Sequence, residues 1–174
     1  MKVSLITIFL KSLYSPGEIA KYRFLTIGKT IQYVFILSLF LSLHGIYDAV
    51  VHNPFSTEQY GDEAFDDGSK IFMTLIVIVM TYGLNSGLLF LGITMIASFG
   101  EPLAKTWGRK LPYRQSWRLT ACSITLPVVL FGLLYLFGFG ESYFLLIALA
   151  MSVAIIAASI KCIPKPRVKK QINE

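Results

Sequence analysis

An all-α polytopic membrane protein with four transmembrane helices, and with the N- and C-termini cytoplasmic, is predicted by three observations. Of 174 residues, 55% are hydrophobic and only 15% charged, for a mean hydropathy of +0.63. A soluble domain needs about a quarter of its residues charged to cover its surface. Four stretches, Ile31–Tyr47, Ile71–Ala97, Leu119–Phe139 and Tyr143–Ile160, contain no Lys, Arg, Asp or Glu. Each is near or above the roughly 18 residues that cross hydrocarbon, where one such charge at a helix centre costs about 2.5 to 3.5 kcal/mol. The third observation is that the charges between the stretches are sorted by sign.

Fifteen of the sixteen Lys and Arg residues fall in three segments: Lys2, Lys11, Lys21, Arg23 and Lys29; Lys105, Arg109, Lys110, Arg114 and Arg118; Lys161, Lys165, Arg167, Lys169 and Lys170. Between these lie an acidic loop, with Glu58, Asp62, Glu63, Asp66 and Asp67 against Lys70 alone, and a short turn with Glu141. The positive-inside rule then places both chain ends in the cytoplasm. The net charge of +6 reads as an orientation signature with affinity for anionic lipid head groups, and nucleic-acid binding is the lesser reading.

The elements follow in order. Residues 1–30 form an N-terminal segment in which Val3, Ile6, Leu10, Leu13 and Tyr14 recur at helical spacing. That pattern predicts a helix lying in the inner interface until Pro16 ends it; a frayed N-terminus is the plain alternative. No small-residue cleavage site follows the short apolar run, so no signal peptide is read there. The transmembrane domain covers 31–160, with spans at about 31–49, 71–97, 119–139 and 143–160, and a basic tail covers 161–174. Asn53-Pro54 is expected to stop the first helix, and Asp67-Gly68-Ser69 reads as a turn into the second. That second span is about 40 Å long as one helix against a ~30 Å core. Two re-entrant halves around Gly83–Gly87 would put its flanking loops on one side, and their opposite charges favour one tilted or kinked helix instead. Glu101-Pro102 is expected to close it, followed by a basic loop running to Trp117, where Tyr113 and Trp117 suit an aromatic belt. Pro127 should kink the third span, and Gly138, Gly140 and Glu141 should turn the chain into the fourth.

Candidate sites are few. His44, Asp48 and His52 are spaced four apart, so a helix would stack two imidazoles and a carboxylate on one face, which is a possible transition-metal site. A His44–Asp48 hydrogen bond or plain solvation at the membrane boundary are the blander readings. Gly83-Leu84-Asn85-Ser86-Gly87 is a GxxxG with hydrogen-bonding residues at its centre, suited to close helix contact, and Ala154 and Ala158 offer a facing small-residue strip. The contact is expected within this chain or with another chain, or the segment lines a substrate path. Cys122 and Cys162 both fall toward the reducing side, where packing is the expected role. The chain has no HExxH, GxSxG, P-loop or CxxC, and no intramembrane carboxylate pair. The expectation is therefore a protein that is not an enzyme and carries no cofactor.

At two places the sequence resembles a known family. Phe9-Leu10-Lys11-Ser12-Leu13-Tyr14-Ser15-Pro16, with Arg23-Phe24 and Ile27-Gly28-Lys29-Thr30-Ile31-Gln32-Tyr33, resembles the start of the bacterial membrane-protein family catalogued as domain of unknown function 1189. Leu111 to Ala121, followed by Thr125-Leu126-Pro127, is similar to that family's second recurring segment. The resemblance implies a Gram-positive plasma-membrane protein of the Yip-type helical clan, sometimes labelled a maltodextrin-utilisation protein, and it brings no catalytic residue. Family members tend to carry a longer segment after the first span, so any binding role of that segment is in doubt here. Together these readings give an expected partner or assembly factor for another membrane complex, with a small oligomeric transporter or channel as the alternative.

Overall fold

The computed structural model describes residues 3–51, 66–136 and 143–165, and within them every regular element is an α-helix. In chain order these are α1 (Leu5–Tyr14), α2 (Pro16–Tyr22), α3 (Ile27–Val51), α4 (Asp67–Thr106), α5 (Tyr113–Ser123), α6 (Thr125–Leu136) and α7 (Tyr143–Lys161). The expected turns at Asn53-Pro54 and at Gly138 to Glu141 lie outside the described residues.

Short hydroxyl contacts fix the directions of the long helices. Ser38 meets Ser86, Ser42 meets Asn85 and Gly45 approaches Thr81, so α3 and α4 are antiparallel. Tyr33 meets Thr125 and Gly132 lies against Phe40, so α3 and α6 run parallel. Ser116 meets Ala97 and Gly100 while Trp117 meets Thr94 further back along α4, so α5 is antiparallel to α4. The C-terminal turns of α7 join α1, α2 and the end of α4 in one core of Ile8, Ile19, Tyr22, Leu25, Ala104, Leu119, Ile156, Ile160 and Ile163. One end of the bundle therefore gathers the described parts of all three basic segments. Lys70 is the described cation at the far end.

Packing is uneven along the bundle. The two apolar clusters occupy the basic end and the middle, the second built from Val34, Leu37, Leu89, Ile93, Ala121 and Val128. Toward the far end, the described residues buried in α3, α4 and α7 are Ser38, Ser42, Ala49, Ser86 and Ser152, all of them small. Large apolar side chains point outward there, among them Leu43, Ile71, Leu75, Val79, Met80, Leu84 and Leu146. Such an outer surface suits hydrocarbon rather than water.

Among the described residues, two helical stretches, Gly68–Thr106 within α4 and Tyr113–Leu134 running through α5 and α6, are long and apolar enough to cross a membrane, and a third qualifies if the two parts of α3, bent by 52°, count as one. The apolar part of α7 within the described side chains, Leu146–Lys161, is shorter than 18 residues.

Several helix ends differ from the sequence expectation. Asp67-Gly68-Ser69 is the first turn of α4 rather than a turn before it, because Asp66 is the N-cap and its carboxylate accepts from the Ser69 N–H at 3.3 Å and from the Ser69 hydroxyl. Pro102 does not close the span. It lies inside a 40-residue helix that runs on because Leu103, fully buried Ala104 and Trp107 seat in the core. The stop comes at Gly108, whose φ of 65° makes a Schellman turn: its N–H reaches Lys105 O at 3.0 Å, and the Arg109 N–H reaches Ala104 O at 2.9 Å. The basic loop is likewise shorter than expected, since Pro112 caps α5 and Tyr113, Arg114, Trp117 and Arg118 stand on the helix. In the third span α5 and α6 are interrupted at Ile124, beside the Ser123 carbonyl that Pro127, four residues on, cannot satisfy. The N-terminal segment is helical from Leu5 to Tyr14, and Ser15 leaves the helix in extended geometry before Pro16 opens α2.

Candidate helix-contact site

The five-residue segment read as one contact strip is divided between two sides of α4. Ser86 is buried and its Oγ lies 2.8 Å from Ser38 Oγ, while Asn85 Nδ2 donates to Ser42 Oγ at 3.0 Å. Ser42 in turn donates to Ser38 O at 2.8 Å, so the three hydroxyls and the amide form a continuous seam between α3 and α4. Each such bond between apolar helices contributes on average about 0.6 kcal/mol. Gly83 and Gly87 are exposed on the side away from Asn85, and a Cβ built on either would meet nothing within 4 Å. They do not touch Ala154 or Ala158. Ala154 is itself exposed and Ala158 is half-buried on α7.

Close backbone approach occurs elsewhere. A Cβ at Gly45 would come within 2.8 Å of Thr81 Cγ2, and a Cβ at Gly100 would overlap Ser116 Oγ, which donates to Ala97 O at 2.8 Å. These two glycines let α4 sit against α3 and α5. No spacing motif marked them, and the signal that was available is the pair of hydroxyls four apart, Ser38 and Ser42, on an otherwise apolar helix.

Other hydroxyls tie the third span in. Tyr33 OH and Thr125 Oγ1 lie 2.5 Å apart, and Thr125 Oγ1 also donates to Cys122 O at 2.7 Å, next to the helix break. Trp117, expected at an aromatic belt, packs onto α4: its Nε1 donates to Thr94 Oγ1 at 3.3 Å and its ring stacks on Phe90 with centroids 6.2 Å apart. Cys122 is buried, Cys162 is exposed, and both are free thiols.

At the basic end Glu18 accepts from Lys21 at 2.5 Å and from Lys11 at 3.1 Å, and these two bonds hold its carboxyl below its ordinary value. Burial lowers the Arg23 pKa and raises that of Tyr22. Lys29 Nζ donates to Val3 O at 3.1 Å, and Arg118 Nη1 to Arg23 O at 3.4 Å, which knits α1, α2, α3 and α5 together. The proposed metal face falls largely outside the described residues: His52 does entirely, and of His44 and Asp48 only the backbone, within α3, is described. Among the described residues no group of three or more His, Cys, Asp or Glu is placed to hold a metal.

The fold and this seam define an all-helical protein whose longest helices have membrane-spanning length and composition. The model of the family described as "Protein of unknown function (DUF1189)" matches residues 57–160, more than half of the chain. The chain belongs to that family. The second resembling segment, Leu111 to Pro127, lies inside the match and the first lies before it. No curated protein and no solved structure matches the chain.

Proposed function

We propose that this chain is a multi-pass protein of a bacterial plasma membrane, with four spans and both ends cytoplasmic, that has no chemistry of its own and serves as a partner or assembly factor for another membrane complex. The gathering of the basic segments at one end of alternating helices supports the orientation. The outward apolar face of α1, with Ile6, Leu10 and Tyr14 exposed opposite buried Ile8 and Ser12, suits a helix lying in the interface. The family resemblance adds a Gram-positive setting and a link to maltodextrin uptake to the same proposal.

The observation that carries the partner reading is the outward position of Gly83 and Gly87, a flat strip with open space above it, bordered by exposed Leu84 and Leu88. A second helix can approach its backbone there, which small residues permit and lipid chains do not require. Asn85 and Ser86 are engaged with α3, which weighs against their lining a path between copies in an oligomeric transporter.

The test is purification of tagged protein in mild detergent, with mass spectrometry of whatever accompanies it. Gly87→Leu is expected to leave folded yield unchanged and to lower recovery of the companion. Asn85→Leu, by contrast, should lower folded yield. Unchanged recovery with Gly87→Leu refutes the strip as the contact, and a homo-oligomer with no companion favours the transporter.

A further inference from the structure

The ends of α4 and α7 meet at the basic end around a shallow cleft of about 510 Å³ lined by Thr106, Trp107, Gly108, Arg109, Lys161 and Lys165. Three cations share it and no carboxylate lines it. The acids described at this end are engaged elsewhere, Glu18 with Lys11 and Lys21, and Glu101 with Lys105 at 3.0 Å. The carbonyl ends of two helices point here, but each carries only about half a negative charge, so roughly two positive charges are left uncompensated.

The cleft is also held in shape. The Schellman turn at Gly108 folds Arg109 back against the end of α4, where its Nε is buried without a hydrogen-bond partner. Lys161 Nζ stands 5.3 Å from the centre of the Trp107 ring, a cation–π contact that steadies the ammonium beside the cleft. Trp107 is itself anchored in the core beside Ala104 and Ile160.

Its height in the fold identifies the occupant. The last charge-free turns of α4 and α7, ending at Gly100 and Ile160, lie immediately before the cleft, and Phe99 on α4 is exposed. Apolar helices that end together put the next turn at the level of lipid phosphates. We propose that the cleft binds the phosphate of an anionic lipid headgroup, with Arg109, Lys161 and Lys165 as its ligands. A planar guanidinium and two ammonium groups match phosphate oxygens, and the volume admits a headgroup beyond a lone ion. The proposal rests on the membrane reading of the apolar helices and is independent of which leaflet the basic end faces and of any protein partner.

The test is native mass spectrometry of the full chain in mild non-ionic detergent, titrated with phosphatidylglycerol or phosphatidylcholine, with and without excess inorganic phosphate. Arg109→Gln with Lys161→Gln should weaken phosphatidylglycerol retention about 30-fold, and Lys165→Gln alone about fivefold, taking about 1 kcal/mol for each cation near the surface. Lys110→Gln with Arg114→Gln removes the same charge outside the cleft and should change little. The single Lys165 variant lies beyond the helices and keeps the test valid if the double variant fails to fold. Equal loss from both double variants means diffuse attraction and overturns the site. Equal retention of phosphatidylcholine, or displacement of the lipid by inorganic phosphate, overturns the lipid as the ligand.

Discussion

Replacing Gly100 with Ala should destabilise the bundle although Ala is the better helix former. A Cβ at position 100 occupies the place of Ser116 Oγ, so the serine must rotate and give up its 2.8 Å bond to the Ala97 carbonyl. The lost bond is worth about 0.6 kcal/mol between apolar helices, and forcing a methyl into a filled contact costs about 1 to 3 kcal/mol. Removing a helix-interior glycine returns about 1 kcal/mol, which leaves a net loss of roughly 0.5 to 2.5 kcal/mol. Gly87→Ala collects the same propensity gain with no atom within 4 Å of the new methyl and should be neutral or stabilising. Unfolding titrations in mixed micelles, followed by fluorescence of Trp107 and Trp117, measure both. The double variant Gly100→Ala with Ser116→Ala removes the overlapping atom and should recover most of the loss. A neutral Gly100→Ala, or a Gly87→Ala that destabilises as much, refutes the assignment of the close contact.

Three further outcomes are expected. In a chain with Cys162 replaced by Ser, single cysteines at positions 56 and 105 should be labelled from opposite sides of intact cells; labelling of both from outside would end the four-span reading. Purified protein should hold no stoichiometric transition metal by elemental analysis, and one atom per chain that His44→Ala removes would restore the His44, Asp48 and His52 site. Glu18 titrates below its ordinary 4.5, first because of Lys21 and then Lys11, so its ion pairs add stability above that pH and lose it as pH falls through the lower folded value. Glu18→Gln should flatten the acid limb of the melting curve, and an unchanged limb would show that the pairs do not couple to folding.

The apolar stretches were readable because hydrocarbon excludes charge, so the middle of each long helix lies where composition put it. Helix ends were less readable, since they depend on tertiary gains. Pro102 ends a helix in isolation, yet here burial of Leu103, Ala104 and Trp107 carries α4 past it to Gly108. The division of the Gly83–Gly87 segment was within reach: at 3.6 residues per turn Asn85 lies about 200° from Gly83, so the two were bound to face apart. Gly45 and Gly100 were not within reach, because a glycine needed for close approach is recognised only with the opposing Thr81 or Ser116 in place.

The crowding of core residues at the basic end has a consequence for how the bundle loosens. Separating the helices there exposes Ile8, Ile19, Leu25, Leu119, Ile156 and Ile160 together, whereas separating their far ends disturbs serines, Ala49 and the contacts of small side chains. Opening free energy should therefore rise from one end to the other, and amides of α3 beyond Ser42 should exchange hydrogen for deuterium sooner than those near Val34. On that gradient the bundle should work mechanically as tongs riveted at the basic end, with arms that a neighbouring helix could spread while the rivet holds.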